Sequence, residues 1–326
     1  MEMNTPIAED LHITGDNAKL DASCKRLLSE KSILAWIMKS CLEEYRNCDV
    51  KDIAEKYIEG QPEVGIVPVA PDETNAARIR GLQNEDTSLT EGTVTYDIRF
   101  LASVPVSGEL IQMIVNVEAQ NRFDPGYPLI KRGIYYCSRM ISAQYGTEFS
   151  HAQYQKIKKV YSIWVCMAPP EERRNSITRY RLVEENLIGT VQERPRDYDL
   201  LSVVMLCLGG ADGENYNGIL KLLDVLLSSE TGEAEKKQIL QNDFDIPMTQ
   251  TLELEVQAMC NLSQGVEEKG RIKGRAEGRA EGKAEERLSA IRNLMASMGW
   301  SVEQAMEALR VPETERQKYA LQLQNQ

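Results

Sequence analysis

The sequence predicts an α/β fold with an α-helical C-terminal extension. Three observations carry that reading. Apolar and polar residues alternate with period two over 93–104 and 110–120. The strongly apolar run 160–167 reads as a strand, and 200–208 is apolar without alternation. From 251 onward the chain is rich in helix formers. The composition agrees. At 326 residues and 42% hydrophobic, the chain can bury a sizeable core and divide into two domains. Its formal net charge is -12. No stretch approaches the roughly 18 apolar residues of a membrane span. The first residues show neither a basic nor an apolar leader region, so a cytoplasmic chain with no membrane partner is expected. The 7 cysteines form no CxxC pair and read as reduced, buried thiols. Only His12 and His151 are present, which argues against a His-rich zinc site.

Each element follows in order. Residues 1–28 are polar and mixed and are expected to be a flexible N-terminus. Over 29–46, Ile33, Leu34, Ile37, Met38, Cys41, Leu42 and Tyr45 recur at helical spacing. A second short helix is expected over 50–58, then a Pro- and Gly-bearing loop over 60–89. Strand 93–104 sets Val94, Tyr96, Ile98 and Phe100 against Thr95, Asp97 and Arg99. Residues 105–109 can turn, and 110–120 is a second strand, so an antiparallel hairpin is predicted. Met113, Val115 and Val117 share one of its faces. Ile114, Asn116, Glu118 and Gln120 share the other. Asp124-Pro125-Gly126 is a turn, and 129–145 a helix. A strand at 160–167, a weaker one at 177–188 and an apolar segment at 200–208 precede a helix at 219–227. The tail repeats Gly-Arg-Ala-Glu-like tetrads from Gly270 to Gly282, and 288–317 reads as a small helical hairpin turning at Gly299. Charges of opposite sign at i,i+4 favour an exposed helix there, against about 1 kcal/mol per glycine. The repeat is either a connecting helix or a close-packed stripe against a partner. The domains expected are 1–28, 29–248 and 249–326.

The chemistry centres on Asp97, Glu118 and Gln120. On neighbouring strands these would converge on one sheet face, and hard oxygen ligands so placed suit Mg²⁺ or Mn²⁺. Such a cation polarises a phosphodiester and generates hydroxide. The same residues fit an ordinary solvated strand face, and spacing alone does not separate the two readings. Between Lys131 and Arg181 lie ten basic residues against three acidic ones, Glu148, Glu171 and Glu172. Lys131, Arg139, Lys156, Lys158, Lys159, Arg173 and Arg174 are the candidates to contact a nucleic-acid backbone; a solvated face carrying no polymer is the competing reading. Asn116 and His151 are secondary candidates. GxGxxG, Walker A and GxSxG motifs are absent.

Three segments, Glu91-Gly-Thr-Val-Thr-Tyr-Asp97-Ile-Arg-Phe, Val115-Asn-Val-Glu118-Ala-Gln120-Asn and Gly126-Tyr-Pro-Leu-Ile-Lys-Arg132-Gly-Ile-Tyr-Tyr136, resemble the PD-(D/E)xK nuclease superfamily. They look most like its transposase-associated branch, the recombination-promoting nucleases. Val160-Tyr-Ser-Ile-Trp-Val-Cys-Met167 looks like the next core strand. The resemblance covers about residues 30–230. It implies a restriction-endonuclease-like mixed sheet flanked by helices, and Mg²⁺-dependent cleavage of DNA, with Mn²⁺ as the alternative ion. Asp97 and Glu118 would be the metal ligands. Gln120 stands where lysine is usual, which matches the branch's ExQ form. Arg132 matches its basic residue, and Glu43 or Glu44 its first-helix glutamate. It does not imply strand transfer. Two other classes stay open: a catalytically silent nucleic-acid-binding relative, and a structural protein forming homo-oligomers through its C-terminal helices.

Overall fold

Two kinds of strand build the sheet: an antiparallel pair at one side and strands buried on both faces in the middle. The computed structural model describes residues 18–64, 85–86, 94–104, 111–120, 123–212 and 215–324. The turn expected at 105–109 lies outside them, as does most of the loop expected at 60–89. The helices are α1 (18–28), α2 (Lys31–Cys41), α3 (Leu129–Ser142), α4 (Gly218–Leu227), α5 (Glu233–Phe244), α6 (Gln250–Met298), α7 (Val302–Ala308) and α8 (Glu313–Gln324). The strands are β1 (Glu63–Val64), β2 (Glu85–Asp86), β3 (Val94–Thr95), β4 (Ile98–Val104), β5 (Ile111–Gln120), β6 (Val160–Cys166), β7 (Ser176–Arg181) and β8 (Leu201–Cys207). The second helix expected at 50–58 is present as one α-turn, Val50–Asp52, continued by a wider turn, Ile53–Tyr57.

Six strands form one mixed sheet in the order β1-β4-β5-β6-β8-β7. β4 and β5 pair antiparallel, as the hairpin reading requires, with Phe100 opposite Val115. β5, β6 and β8 run parallel. Parallel strands are apolar on both sides and need helices on both. On one face Val115, Val117, Ile163, Val165, Val204 and Leu206 join a core with α1, α2, α4, α5 and the first turns of α6. On the other, Ile114, Trp164, Val203 and Met205 pack with Tyr136, Cys137 and Met140 of α3. Gly133 lets α3 come this close: a Cβ there would stand 2.6 Å from Val203 Cγ1 and 3.1 Å from Trp164 Nε1. All seven cysteines are free thiols, six of them buried.

Several expectations change. Residues 18–28 are not a loose terminus: they form α1, which buries Cys24, Leu27 and Leu28. The strand expected through 188 stops at Arg181, because beyond it Val183, Leu187 and Ile188 leave the sheet and are exposed. Tyr96 does not share a face with Ile98. The chain bends at Asp97, sending Tyr96 to the α3 core and Ile98 to the opposite one. The Gly-rich repeat lies within α6, a 49-residue helix. Ideal Cβ positions at Gly274, Gly278 and Gly282 meet nothing within 4 Å in this chain.

The chain divides into two compact units, 1–264 and 265–326. In the first, Leu252, Val256, Met259 and Cys260 of α6 complete the main core. In the second, Ile291, Ala305, Met306, Val311 and Tyr319 form a small core of their own. Its turn is at Gly299 (φ +65°), and Ser301 and Gln304 cap α7 reciprocally. Among the described residues no helix is long and apolar enough to cross a membrane.

Candidate functional site

The site grows from the hairpin register. Ile98 is opposite Val117, so Asp97, at the bend before β4, falls across from Glu118. The two carboxylates then tie the strands together. The Asp97 N–H donates to Glu118 Oε1 at 3.1 Å, and the Ala119 N–H donates to Asp97 Oδ2 at 2.9 Å. Each acid thus accepts a main-chain hydrogen from the other's strand. The remaining Asp97 oxygen, Oδ1, pairs with Lys25 Nζ at 2.9 Å. Lys25 belongs to α1, where Asp21 one turn earlier holds the same ammonium at 2.7 Å.

Glu118 is 3% exposed. Burial pushes its carboxyl well above the usual carboxylate range, and the charge of Asp97 adds to the rise. The Asp97 N–H, Arg132 and Asn116 oppose it. Asp97 is also raised, first by burial, with Lys25 pulling against that. In Lys25 burial works against the ammonium, but Asp97 and Asp21 outweigh it and its pKa rises. Asn116 Nδ2 donates to Ser162 Oγ at 3.2 Å, and the Trp164 indole N–H donates to the same oxygen at 2.9 Å. This line of small polar groups fixes the floor of the site.

Arg132 enters from the first turn of α3. Its Nη2 donates to Tyr136 Oη at 2.6 Å and its Nη1 to Tyr127 Oη at 3.0 Å. Its guanidinium lies 5.1 Å and 5.3 Å from the ring centres of Tyr136 and Trp164. Burial, and then the charge of Glu118, push the Tyr136 hydroxyl up to about 12, so it stays protonated. Gln120 lies two residues beyond Glu118 on the same face, at the carboxyl end of β5 beside Cys166. Lys131 is exposed at the start of α3. Arg173 is also exposed, its guanidinium 5.3 Å from the Phe123 ring centre beyond the ends of β5 and β6. A cavity of about 890 Å³ opens there, lined by Phe123, Tyr127, Pro170 and Arg173.

The fold therefore brings Asp97, Glu118 and Arg132 together, with Gln120 at the rim. It does not bring in Glu43 or Glu44. Glu43 pairs with Arg179 and Arg181. Glu44 accepts from Tyr161 Oη at 2.9 Å and pairs with Lys159 at 3.3 Å. Lys159 precedes β6, where Val160 pairs Ile114. That is four residues from the level of Glu118, about 13 Å along the strands. The expected basic surface is divided too. Lys159 also binds Asp199 at 2.8 Å, Lys158 pairs with Glu148, and Arg139 is buried. Lys156 is exposed beside Lys158 and Lys159 at that far end, and His151 is an exposed turn residue.

Sequence reasoning missed Lys25. The signal was present: Leu20, Cys24, Leu27 and Leu28 stand at i, i+4, i+7 and i+8, a helical face that carries Asp21 and Lys25 beside it. Among the described residues, no group of three or more His, Cys, Asp or Glu side chains could hold a metal ion. Asp97 and Glu118 supply two carboxylates, and both Asp97 oxygens are already engaged, by the Ala119 N–H and by Lys25. Comparisons with family models, curated proteins and solved structures find no match to this chain.

Proposed function

We propose that the chain is a Mg²⁺-dependent DNA endonuclease with a restriction-endonuclease-like core, hydrolysing phosphodiester bonds at the Asp97–Glu118 pair. The reciprocal main-chain bonding of these two carboxylates, with Lys25 on one and Arg132 near the other, is the observation that supports it. Asp97 and Glu118 would hold the cation, which would supply Lewis-acid polarisation of the phosphoryl oxygen and a more acidic water. Lys25 fixes the Asp97 carboxylate and balances its charge. Gln120 orients the attacking water through its side-chain amide. Arg132, held by two tyrosine hydroxyls, stabilises negative charge growing on the phosphoryl group. As the water oxygen bonds to phosphorus, the phosphorus–ester oxygen bond breaks; the attacking water gives up a proton to solvent and the leaving oxygen takes one from solvent. Lys131 and Arg173, exposed around this end, contact backbone phosphates.

A second reading, a catalytically silent nucleic-acid-binding relative, draws on the burial of Glu118. Burial favours its protonated form, which binds no cation. Plasmid nicking separates the two. The wild-type chain is expected to nick supercoiled DNA in Mg²⁺ and not in EDTA, and Asp97→Asn or Glu118→Gln to slow this by about 100-fold or more. Gln120→Ala is expected to reduce it less. DNA binding with no nicking in Mg²⁺ or Mn²⁺ selects the silent relative. Nicking unchanged in both carboxylate variants removes the site.

A further inference from the structure

A second cavity, of about 500 Å³, opens where β8 ends and β7 begins. Gln120, Cys166, Cys207 and Ser176 are successive register partners across β5, β6, β8 and β7, so Ser176 lies three strand spacings, about 14 Å, from Gln120. Ser40, Asn175, Asn215 and Asn217 line the cavity, with the N-terminus of α4 from Gly218 onward. The first N–H groups of a helix have no partner inside it and carry the positive end of its dipole. Here the Asn217 side chain does not cap them, and no acidic residue lies in the first turn. Asn175 makes the opposite demand. Gly209, just past β8, lets the chain lie against it: a Cβ there would stand 2.8 Å from the Asn175 nitrogen. Asn175 is 5% exposed, and its Nδ2 donates to the Gly210 carbonyl at 3.0 Å. Its Oδ1 is buried and accepts from no group among the described residues. A buried acceptor left so is destabilising unless something supplies a hydrogen. With Nδ2 committed to Gly210, Oδ1 is the atom Asn175 keeps for an occupant of the cavity.

We propose that this cavity binds hydrogen phosphate, free or as the terminal group of a phosphate monoester. The occupant has to accept several hydrogens and give one. The α4 N–H groups, the Asn215 and Asn217 amides and the Ser40 hydroxyl supply donors for an oxyanion. Asn175 Oδ1 accepts from the P–OH group. Sulfate meets the first demand and not the second, since it has the same charge and shape as the hydrogen phosphate dianion but no hydrogen. A phosphodiester has none either, so the site selects a free ion or a chain end over a nucleic-acid backbone. No Lys or Arg lines the cavity among the described residues, so no adjoining cation drives the ion to give up its hydrogen. The site is independent of cleavage at Asp97 and Glu118.

Titration calorimetry of the full chain in EDTA, with sodium phosphate and with sodium sulfate at about pH 8, tests this. Phosphate is expected to bind with a Kd of about 1 mM or tighter, and sulfate at least about tenfold more weakly, because it leaves Asn175 unpaired. Asn217→Asp sets a carboxylate where it accepts from the first turn of α4 in the ligand's place. This variant is expected to melt at or above the wild-type temperature and to bind phosphate about tenfold more weakly or not at all. Asn175→Gly suits the left-handed backbone there (φ +51°) and removes the acceptor. It is expected to bring phosphate and sulfate to within about threefold of each other. At about pH 5.5 a monoester keeps its P–OH, and a 5′-phosphorylated oligonucleotide compared with its unphosphorylated form separates the two sources. A phosphorylated strand that binds and is displaced by phosphate assigns the site to a strand end; binding of inorganic phosphate alone assigns it to the free ion. No phosphate binding up to about 10 mM overturns the proposal. So does equal affinity of the wild type for sulfate, and so does phosphate binding that survives Asn217→Asp unchanged.

Discussion

Glu118 carries opposite demands. Divalent binding needs it ionised, while burial and the neighbouring Asp97 favour its protonated form. Over the interval from the unfolded glutamate value, near 4.3, up to the raised folded value, the native state binds more protons, and stability falls as pH rises. Glu118→Gln keeps an acceptor for the Asp97 N–H and removes the ionisation. This variant is expected to melt higher than the wild type at neutral pH, by an amount on the order of 1–3 kcal/mol, and to show a flatter dependence on pH. Thermal melts between pH 4 and 8 check both. An equal or lower melting temperature at neutral pH would mean that Glu118 is stabilised as a carboxylate without metal.

At the scale of elements, the site depends on how closely α3 lies on β6 and β8. Gly133 sets that approach. Gly133→Ala is expected to cost about 1–3 kcal/mol despite alanine's better helix propensity, because the new methyl overlaps Val203. The same shift would move Arg132, one residue away, so nicking should fall more than stability explains. Chemical denaturation and nicking rates measured on one preparation test the pair of effects; a stabilised variant would contradict the close contact. The elements also show what was legible beforehand. β4, β5, β6 and α3 could be read because burial imposes a pattern: alternation on β4 and β5, a strongly apolar run on β6, helical recurrence on α3; β8 showed only as an apolar segment without alternation. α5 could not. Its fully buried side chains are only Lys236, Leu240 and Phe244, and the first of these is a lysine whose ammonium donates to the Leu226 and Ser228 carbonyls at the end of α4. In the site, Asp97 and Glu118 followed from hairpin register, which is local. Lys25 reaches Asp97 across 72 positions of sequence, and the partners of Glu43 and Glu44 lie more than 110 away, beyond what spacing encodes.

For the whole molecule, the division at 264/265 cuts through α6 rather than through a loop. Among the described residues, α6 contributes Leu252, Val256, Met259 and Cys260 to the main core. The glycine tetrads after them have no such partners at Gly274, Gly278 and Gly282. A chain ending at 264 is therefore expected to fold with the melting temperature of the first unit intact and with its divalent-ion affinity unchanged. A chain ending at 248 loses those four buried side chains and the Arg26–Glu255 pair. At about 1.5–3 kcal/mol for each large apolar side chain, the loss is comparable to the whole stability of an ordinary domain. The shorter chain should melt well below the longer one or fail to fold. Calorimetry on the two truncations decides it: equal melting temperatures would show that the first turns of α6 contribute nothing to the core they line.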